Sequence, residues 1–351
     1  MSNETPQARE TAADRPGRAS LEGGAWRGGL LWLVRLRMPV VLGLLIVVMT
    51  LLTDGLFARP ENLINVARQI SFEALIAFGM TLVIVTGGID LSVGSLVALT
   101  GVVAAVAMRA TLDVSPTLCI ALGLCAGIGV GAGTGAVSGS VVARFRIPPF
   151  IVTLAAMLIA RGLAFIACDG ETVYELPSAL LTLGRGFVLE NVFGKLLPVP
   201  VLIMLLGFAI FHVLLTRTVF GRSVIAVGSN EEAARLAGIH VGLTRWIVYV
   251  LTGALCGIVG VMQDGKLMAG DPKVSEMWEL NVIAAVVVGG TSLFGGRGTI
   301  VGTLIGALII GVLNNSLNLL NVQHFWQKVV LGLVILAAAL LDAGLRRLGQ
   351  R

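Results

Sequence analysis

The chain has 351 residues, of which 56% are hydrophobic and 13% charged, with a formal net charge of +5 and a mean hydropathy of +0.93. Ordinary soluble domains carry about 25% charged residues. The composition therefore excludes a typical soluble protein and predicts an all-α polytopic membrane helix bundle. The basic residues are dispersed along the chain, which argues against nucleic acid as a partner.

Ten apolar segments are long enough, or nearly so, to cross a bilayer, which takes about 20 residues as helix. Residues 1–37 precede them and are predicted to form a disordered cytoplasmic tail, because no apolar run occurs there. Residues 38–343 are the predicted transmembrane domain, and 344–351 a cytoplasmic C-terminal tail. The predicted spans are 38–57, 68–87, 91–108, 116–143, 147–168, 198–216, 245–263, 280–294, 299–320 and 327–343.

The distribution of basic residues predicts the orientation of these spans. With both termini in the cytoplasm, most of the 25 Lys and Arg residues fall in the tails and cytoplasmic loops. Basic residues stay on the cytoplasmic side of bacterial membranes, so this arrangement favours ten spans. The net positive charge then comes from the excess of basic residues on the cytoplasmic side, which sets the orientation of the spans.

Glycines recur at every fourth residue in two of the spans. This spacing lines up a bare helix face against which a neighbouring helix can pack closely. Tight packing explains such faces more simply than a direct role with a transported solute. The two series are Gly123, Gly127, Gly131, Gly135 and Gly139, and Gly298, Gly302 and Gly306.

The segment GGIDLSVG (87–94) interrupts the apolar sequence, and Asp90 is the only charged residue between Glu73 and Arg109. Gly87 and Gly88 allow left-handed or close-packed backbone at the end of one helix, and Asp90 or Ser92 can accept hydrogen bonds from the free amides of the next. A second interpretation places this break beside an aqueous pathway, where it contacts a polar solute. The two interpretations are compatible, and both stay open.

A second segment, GGTSLFGG (289–296), shares Gly-Gly, Leu and Gly with the first at matching offsets. Six spans separate the two, so both face the same side, as in a parallel duplication. Paired Gly-interrupted segments point to a transport pathway. Thr291 and Ser292 stand where the first segment has Ile89 and Asp90.

The cytoplasmic loop 217–244 contains GSNEEAARLAGI (228–239). Ser229 and Glu232 have the spacing of a capping box, Glu231 favours a helix start, and Gly238 a helix end. These signals predict a short helix at about 230–237, which is marginal in isolation and must pack on a partner or on its own protein.

No nucleotide-binding, metal or catalytic motif accompanies this loop. GVMQDGKL (260–267) matches the spacing of a phosphate-binding loop, but Leu267 replaces the Ser or Thr that holds magnesium and no strand precedes it. An enzyme is therefore disfavoured.

Three long segments resemble bacterial ABC sugar-importer permeases of the ribose, xylose and arabinose type. They are GMTLVIVTGGIDLSVGSLVALTG (79–101), GSNEEAARLAGI (228–239) and IAAVVVGGTSLFGGRGTIVGTLIGALIIGVLNNSLNLL (283–320), within a similarity that runs through about 40–343. The resemblance implies an inner-membrane permease, usually paired with a second copy, a cytoplasmic ATPase that binds the ATP, and a periplasmic sugar-binding protein. It implies no cofactor in this chain.

The resemblance also implies roles for particular residues. Ser229, Asn230, Glu231, Glu232, Arg235 and Gly238 would form the segment under which the ATPase docks. Independently of the resemblance, the residues predicted to line the translocation pathway are those of the two breaks, Gly87, Gly88, Asp90, Ser92, Thr291 and Ser292, together with Asn314 and Asn315. Relatives often have Asp where this chain has Asn281, which puts a carboxylate role there in doubt.

The sequence thus predicts a permease that imports a monosaccharide or related polyol, with membrane lipid around it. Its rival is a secondary transporter or channel, which could use the same broken helices. The few ionisable residues within the spans weaken that rival. Ribose, xylose, galactose and other polyols all stay open as the solute.

Overall fold

A computed structural model describes residues 38–113, 115–188 and 195–349, with side chains through 338 and at 340. The regular structure in these ranges is helical, apart from two isolated β-bridges. The predicted N-terminal tail lies outside the described residues. The helices are α1 Met38–Leu52, α2 Pro60–Val85, α3 Val93–Arg109, α4 Pro116–Phe145, α5 Pro149–Ala167, α6 Leu181–Arg185, α7 Val199–Arg217, α8 Val219–Ser229, α9 Glu231–Leu236, α10 Val241–Leu267, α11 Trp278–Val288, α12 Ile300–Leu319 and α13 His324–Gly349.

A helix lies in each of the ten predicted spans. Six of the described helices are long and apolar enough to cross a membrane, namely α2, α4, α5, α7, α10 and α12. Four shorter or less uniformly apolar helices, α1, α3, α11 and α13, occupy the remaining spans. The polytopic helical bundle is confirmed, while the number of crossings stays a prediction. Helix α13 continues through Gly349, past the predicted end of the last span.

Helix α2 forms the centre of the bundle. From Ser71 to Val85 every residue except Glu73 is buried, and the helix contacts α7, α10, α11 and α12. By contrast, α5 buries only Thr153, Ala160 and Ala164. Most of its remaining apolar side chains are exposed, as expected for a helix at the lipid boundary or at an interface with another subunit.

The glycine face of α4 packs mainly against α10, as predicted. All five glycines of the series are buried. An added Cβ at Gly131 would overlap the Gly253 carbonyl, and one at Gly135 the Tyr249 carbonyl. The second series packs α12 against α11 through Gly302 and Gly306, whereas Gly298 precedes the helix and contacts Val85 and Thr291.

Candidate translocation and coupling site

The first break begins with a left-handed glycine, as predicted. Gly87 has φ +82°, its amide donates to the Ile84 carbonyl at 2.9 Å, and the Gly88 amide donates to the Val83 carbonyl at 3.0 Å. This pair of bonds is a Schellman motif, which ends α2. Gly88 allows a close approach, since an added Cβ would lie 2.8 Å from the Tyr249 hydroxyl oxygen.

Asp90 caps the start of α3 from a position two residues before the N-cap residue, Ser92. It is 2% exposed, and its Oδ1 accepts from the Ser92 amide at 2.9 Å and the Ser92 hydroxyl at 2.6 Å. The Ser92 amide is one of the free donors at this helix start. Ser92, the predicted alternative acceptor, donates to Asp90 and makes no capping bond of its own.

The segment that carries Asp90 contacts α5 and α10. The Thr153 hydroxyl of α5 donates to the Ile89 carbonyl at 3.0 Å. On α10, the buried Tyr249 hydroxyl lies against Gly88 and has no hydrogen-bond partner among the described residues. Buried hydroxyls are normally paired, so this one is free to bind a group that the present arrangement does not supply.

The second break ends α11 with the same motif. Gly290 has φ +88°, its amide donates to the Val287 carbonyl at 2.9 Å, and the Thr291 amide donates to the Val286 carbonyl at 3.2 Å. The two breaks therefore correspond in geometry. Their register differs by one residue from the sequence match, because the counterpart of Gly87 is Gly290 and not Gly289.

Thr291 and Ser292 are both buried, but neither caps the following helix. The Ser292 amide donates to the Arg297 carbonyl at 2.9 Å, and the Thr291 hydroxyl has no hydrogen-bond partner among the described residues. The cap of α12 is Thr299, whose Oγ1 accepts from the Gly302 amide at 3.0 Å. Thr299 has an ordinary capping signal that the sequence analysis missed.

Both breaks meet the end of helix α8 in one three-way junction, formed by Val85, Gly228, Ser229 and Gly296. The Gly296 amide donates to the Val85 carbonyl at 2.9 Å. Gly228 lies against both groups, so that an added Cβ would overlap the Val85 carbonyl. A Cβ at Gly296 would lie 2.6 Å from the Ser229 hydroxyl oxygen. Movement of α8 would therefore act on both breaks directly.

The loop 217–244, predicted to be cytoplasmic, contains two helices, α8 and α9, where the sequence predicts one. Ser229 is the last residue of α8, and its hydroxyl donates to the Ile225 carbonyl at 2.8 Å. Asn230 caps α9 instead, accepting from the Ala233 amide at 2.9 Å. The predicted capping box of Ser229 and Glu232 is therefore wrong. The predicted stop is confirmed, because Gly238 has φ +82° in a third Schellman motif.

Helix α9 is fixed to its own protein on one face and exposed on the other. Glu231 pairs with Arg235 at 2.9 Å and with Arg245 of α10 at 2.8 Å. Ala234 is buried against Val227 and Val241. Leu236 is 86% exposed, so the outer end of α9 presents an apolar side chain that nothing in the described chain covers.

The two asparagines of α12 have different environments. Asn315 forms two amide–amide hydrogen bonds with Asn62 of α2, at 3.0 and 3.1 Å. Asn314 lines a cavity between α11, α12 and α13. Asn281 lines the same cavity and donates to Glu73 at 3.1 Å, a bond that an ionised carboxylate at position 281 could not form.

A family model described as "Branched-chain amino acid transport system / permease component" matches residues 62–339. The chain belongs to this permease family. It is 45% identical over 301 residues to the ribose import permease protein of Bacillus subtilis strain 168, which covers 85% of this chain and 89% of that relative. The match confirms the resemblance to bacterial sugar-importer permeases.

Two further relatives of this permease match a similar fraction of the chain. Identity is 43% over 311 residues with the ribose import permease protein of Escherichia coli K12, covering 89% of this chain and 94% of the relative. It is 40% over 317 residues with the L-arabinose ABC transporter permease protein of Azospirillum brasilense, covering 90% of each. No solved structure matches the chain. The family and the apolar helices make this a multi-pass membrane protein.

One buried acid of this permease escaped the sequence analysis. The predicted seventh span ends at 263, but α10 continues through Leu267 and contains Asp264, which is 2% exposed. Its Oδ2 has no hydrogen-bond partner among the described residues, and its Oδ1 lies against Gly101 of α3. The helical backbone also means that 260–267 does not form a phosphate-binding loop.

Proposed function

We propose that this chain is the transmembrane subunit of an ATP-binding-cassette importer that moves a monosaccharide or related polyol from periplasm to cytoplasm. Its relatives are named as ribose and L-arabinose permeases, one of them explicitly as part of an ABC transporter. A separate cytoplasmic ATPase supplies the energy, and a periplasmic binding protein delivers the sugar. A second copy of the permease completes the pathway, and both termini face the cytoplasm.

The three-way junction is the observation that carries this mechanism. Helices α8 and α9 form the docking segment for the ATPase, with Asn230, Glu231, Arg235 and Gly238 fixing its shape. The end of α8 touches both breaks through Gly228 and Ser229. A displacement of the docking segment during ATP hydrolysis therefore reaches α2 and α11 without passing through intermediate side chains.

Leu236 supplies the contact with the ATPase. An apolar side chain that is 86% exposed on a cytoplasmic helix suits a hydrophobic pocket on a partner. Glu232 and Arg235 lie beside it on the exposed surface and would form the polar rim.

The test compares Leu236→Ser with Leu236→Met in the importer expressed with its own ATPase. Loss of a buried leucine contact costs about 1.5–3 kcal/mol, so we expect Leu236→Ser to reduce copurification of the ATPase at least tenfold. Leu236→Met keeps the apolar contact and should retain the ATPase. Copurification and sugar uptake are measured per inserted permease. Equal ATPase binding by both variants would overturn the docking assignment.

A further inference from the structure

A cavity of about 540 Å³ with a mixed apolar and polar lining lies between α11, α12 and α13, at the ends of α11 and α12 that are far from the second break. Its wall combines amide side chains with the apolar Trp278 and Leu331. Small-molecule sites have volumes of about 300–1,000 Å³ and this mixture of apolar walls with a few polar groups. The cavity therefore has the size and lining of a ligand site.

Hydrogen bonds within the protein fix the orientation of the amides. Asn281 donates to Glu73 Oε1 at 3.1 Å. Gln327 donates to Asn318 Oδ1 at 2.8 Å and to the Val322 carbonyl at 2.9 Å. Since these bonds use side-chain N–H groups, the Asn281 and Gln327 side-chain oxygens are left as acceptors.

Asn314 adds both hydrogen-bond donors and a hydrogen-bond acceptor to the lining of the cavity. It makes no side-chain hydrogen bond in the described part of the chain, and it is only partly buried, so its donors and its acceptor are available to the cavity. A sugar hydroxyl both donates and accepts, and therefore matches such a lining. At the rim, Glu276 and Lys328 carry opposite charges, which gives little net preference for an ion of either sign.

We propose that this cavity binds a neutral polyhydroxylated solute of monosaccharide size, with Asn314 in direct contact with its hydroxyl groups. The inference rests on the proposed function and adds a solute site to it. The walls α11 and α12 are the two helices joined by the second break. A shift at the junction therefore alters the spacing of Asn281 and Asn314 and, with it, the affinity for the solute.

The first experiment measures sugar transported per ATP hydrolysed. The complete importer is reconstituted in proteoliposomes and assayed with radiolabelled D-ribose, L-arabinose and D-xylose. Replacement of one hydrogen-bonding side chain by an apolar one costs about 1 kcal/mol, so we expect Asn314→Leu to lower the ratio about threefold to tenfold. Asn314→Ser restores a hydroxyl and should recover most of it.

Asn62→Leu is the matched control, because it makes the same substitution in α2, outside the cavity. The Asn62 amide pairs with Asn315. We expect less inserted protein with an unchanged ratio of sugar to ATP. An equal fall of the ratio in both leucine variants would overturn the proposal, since a general defect of the helix bundle would then explain it.

The second experiment does not depend on transport. Asn314→Cys is introduced with Cys125 and Cys168, the two natural cysteines that are not buried, replaced by Ser. We expect a membrane-impermeant thiol reagent to label the new thiol, and millimolar sugar to slow labelling in the purified permease.

The outcomes separate this inference from the function on which it rests. Wild-type importer that transports none of the sugars would contradict the proposed function. Transport by the wild type, with an unchanged ratio in Asn314→Leu and labelling that sugar does not slow, would overturn the solute site alone. Labelling slowed by added phospholipid and not by sugar would assign the cavity to a lipid headgroup, which also overturns it.

Discussion

Asp90 is a carboxylate held inside the bundle by a single residue. Its Oδ1 binds the Ser92 amide and hydroxyl, and an asparagine oxygen could accept the same two bonds. A charge in the membrane interior costs at least about 2.5 kcal/mol. The second break needs no acid, because Thr299 caps α12. An acidic side chain at position 90 is therefore more than capping requires.

We expect Asp90→Asn to insert and fold normally yet to lose uptake at least tenfold. Asp90→Ala loses the acceptor and should also reduce the stability of the protein by about 0.5–2 kcal/mol. Radiolabelled sugar uptake is measured against the amount of inserted permease for both variants. Full uptake by the Asn variant would show that Asp90 acts only as a helix cap.

At the scale of helices, the start of α9 shows how a neighbouring element changes the meaning of a local motif. Ser229 and Glu232 have the spacing of a capping box, but Ser229 belongs to the last turn of α8 and its hydroxyl bonds Ile225. Asn230 is the first residue free to adopt the extended backbone of a cap, with φ −160° and ψ 106°.

We therefore expect Asn230→Ala to destabilise α9 by about 1 kcal/mol, which corresponds to about fivefold faster hydrogen exchange of its amides. Ser229→Ala should leave exchange in α9 nearly unchanged. Hydrogen exchange of the 230–238 segment, read by mass spectrometry, compares the two variants. Faster exchange in the Ser229 variant alone would support the capping box of Ser229 and Glu232 and would contradict the structure.

The sequence predicts those features of the helices that depend on local chemistry. The helix ends at Gly87 and Gly238 can be predicted from sequence because left-handed backbone favours glycine. The glycine face of α4 can be predicted because residues four apart lie on the same face of a helix. The sequence does not predict which glycine ends α11 at the second break, since Gly289 and Gly290 are adjacent and either could take positive φ. Burial of Asp264 was missed because it depends on contact with α3, which leaves no local signal.

At the scale of the whole molecule, the junction joins parts of the chain that are far apart in sequence. Val85 ends α2, Gly228 lies in α8 and Gly296 in the second break. From sequence, each has a separate interpretation, as a span end, a docking segment and a pathway element. Their contact depends on the tertiary packing of α2 with α8, and the transmission path proposed above rests on this contact.

Gly228→Ala tests that path. The added methyl group overlaps the Val85 carbonyl, so the end of α8 must move away, at a cost of about 1–3 kcal/mol, and the hydrogen bond between Gly296 and Val85 weakens. The exposed side chain of Leu236, the proposed contact with the ATPase, is not altered. We therefore expect normal ATPase binding with uptake reduced at least tenfold, measured as copurified ATPase and radiolabelled sugar per inserted permease.

The control for this variant is Gly242→Ala in the first turn of α10. There an added Cβ meets only Ala143 at an ordinary contact distance of 3.6 Å, and alanine favours helix over glycine by about 1 kcal/mol. Uptake should stay at the wild-type level. If Gly228→Ala transported as well as Gly242→Ala, the close approach at the junction would be packing alone, and coupling would have to reach the breaks through the packed faces of α2 and α10 instead.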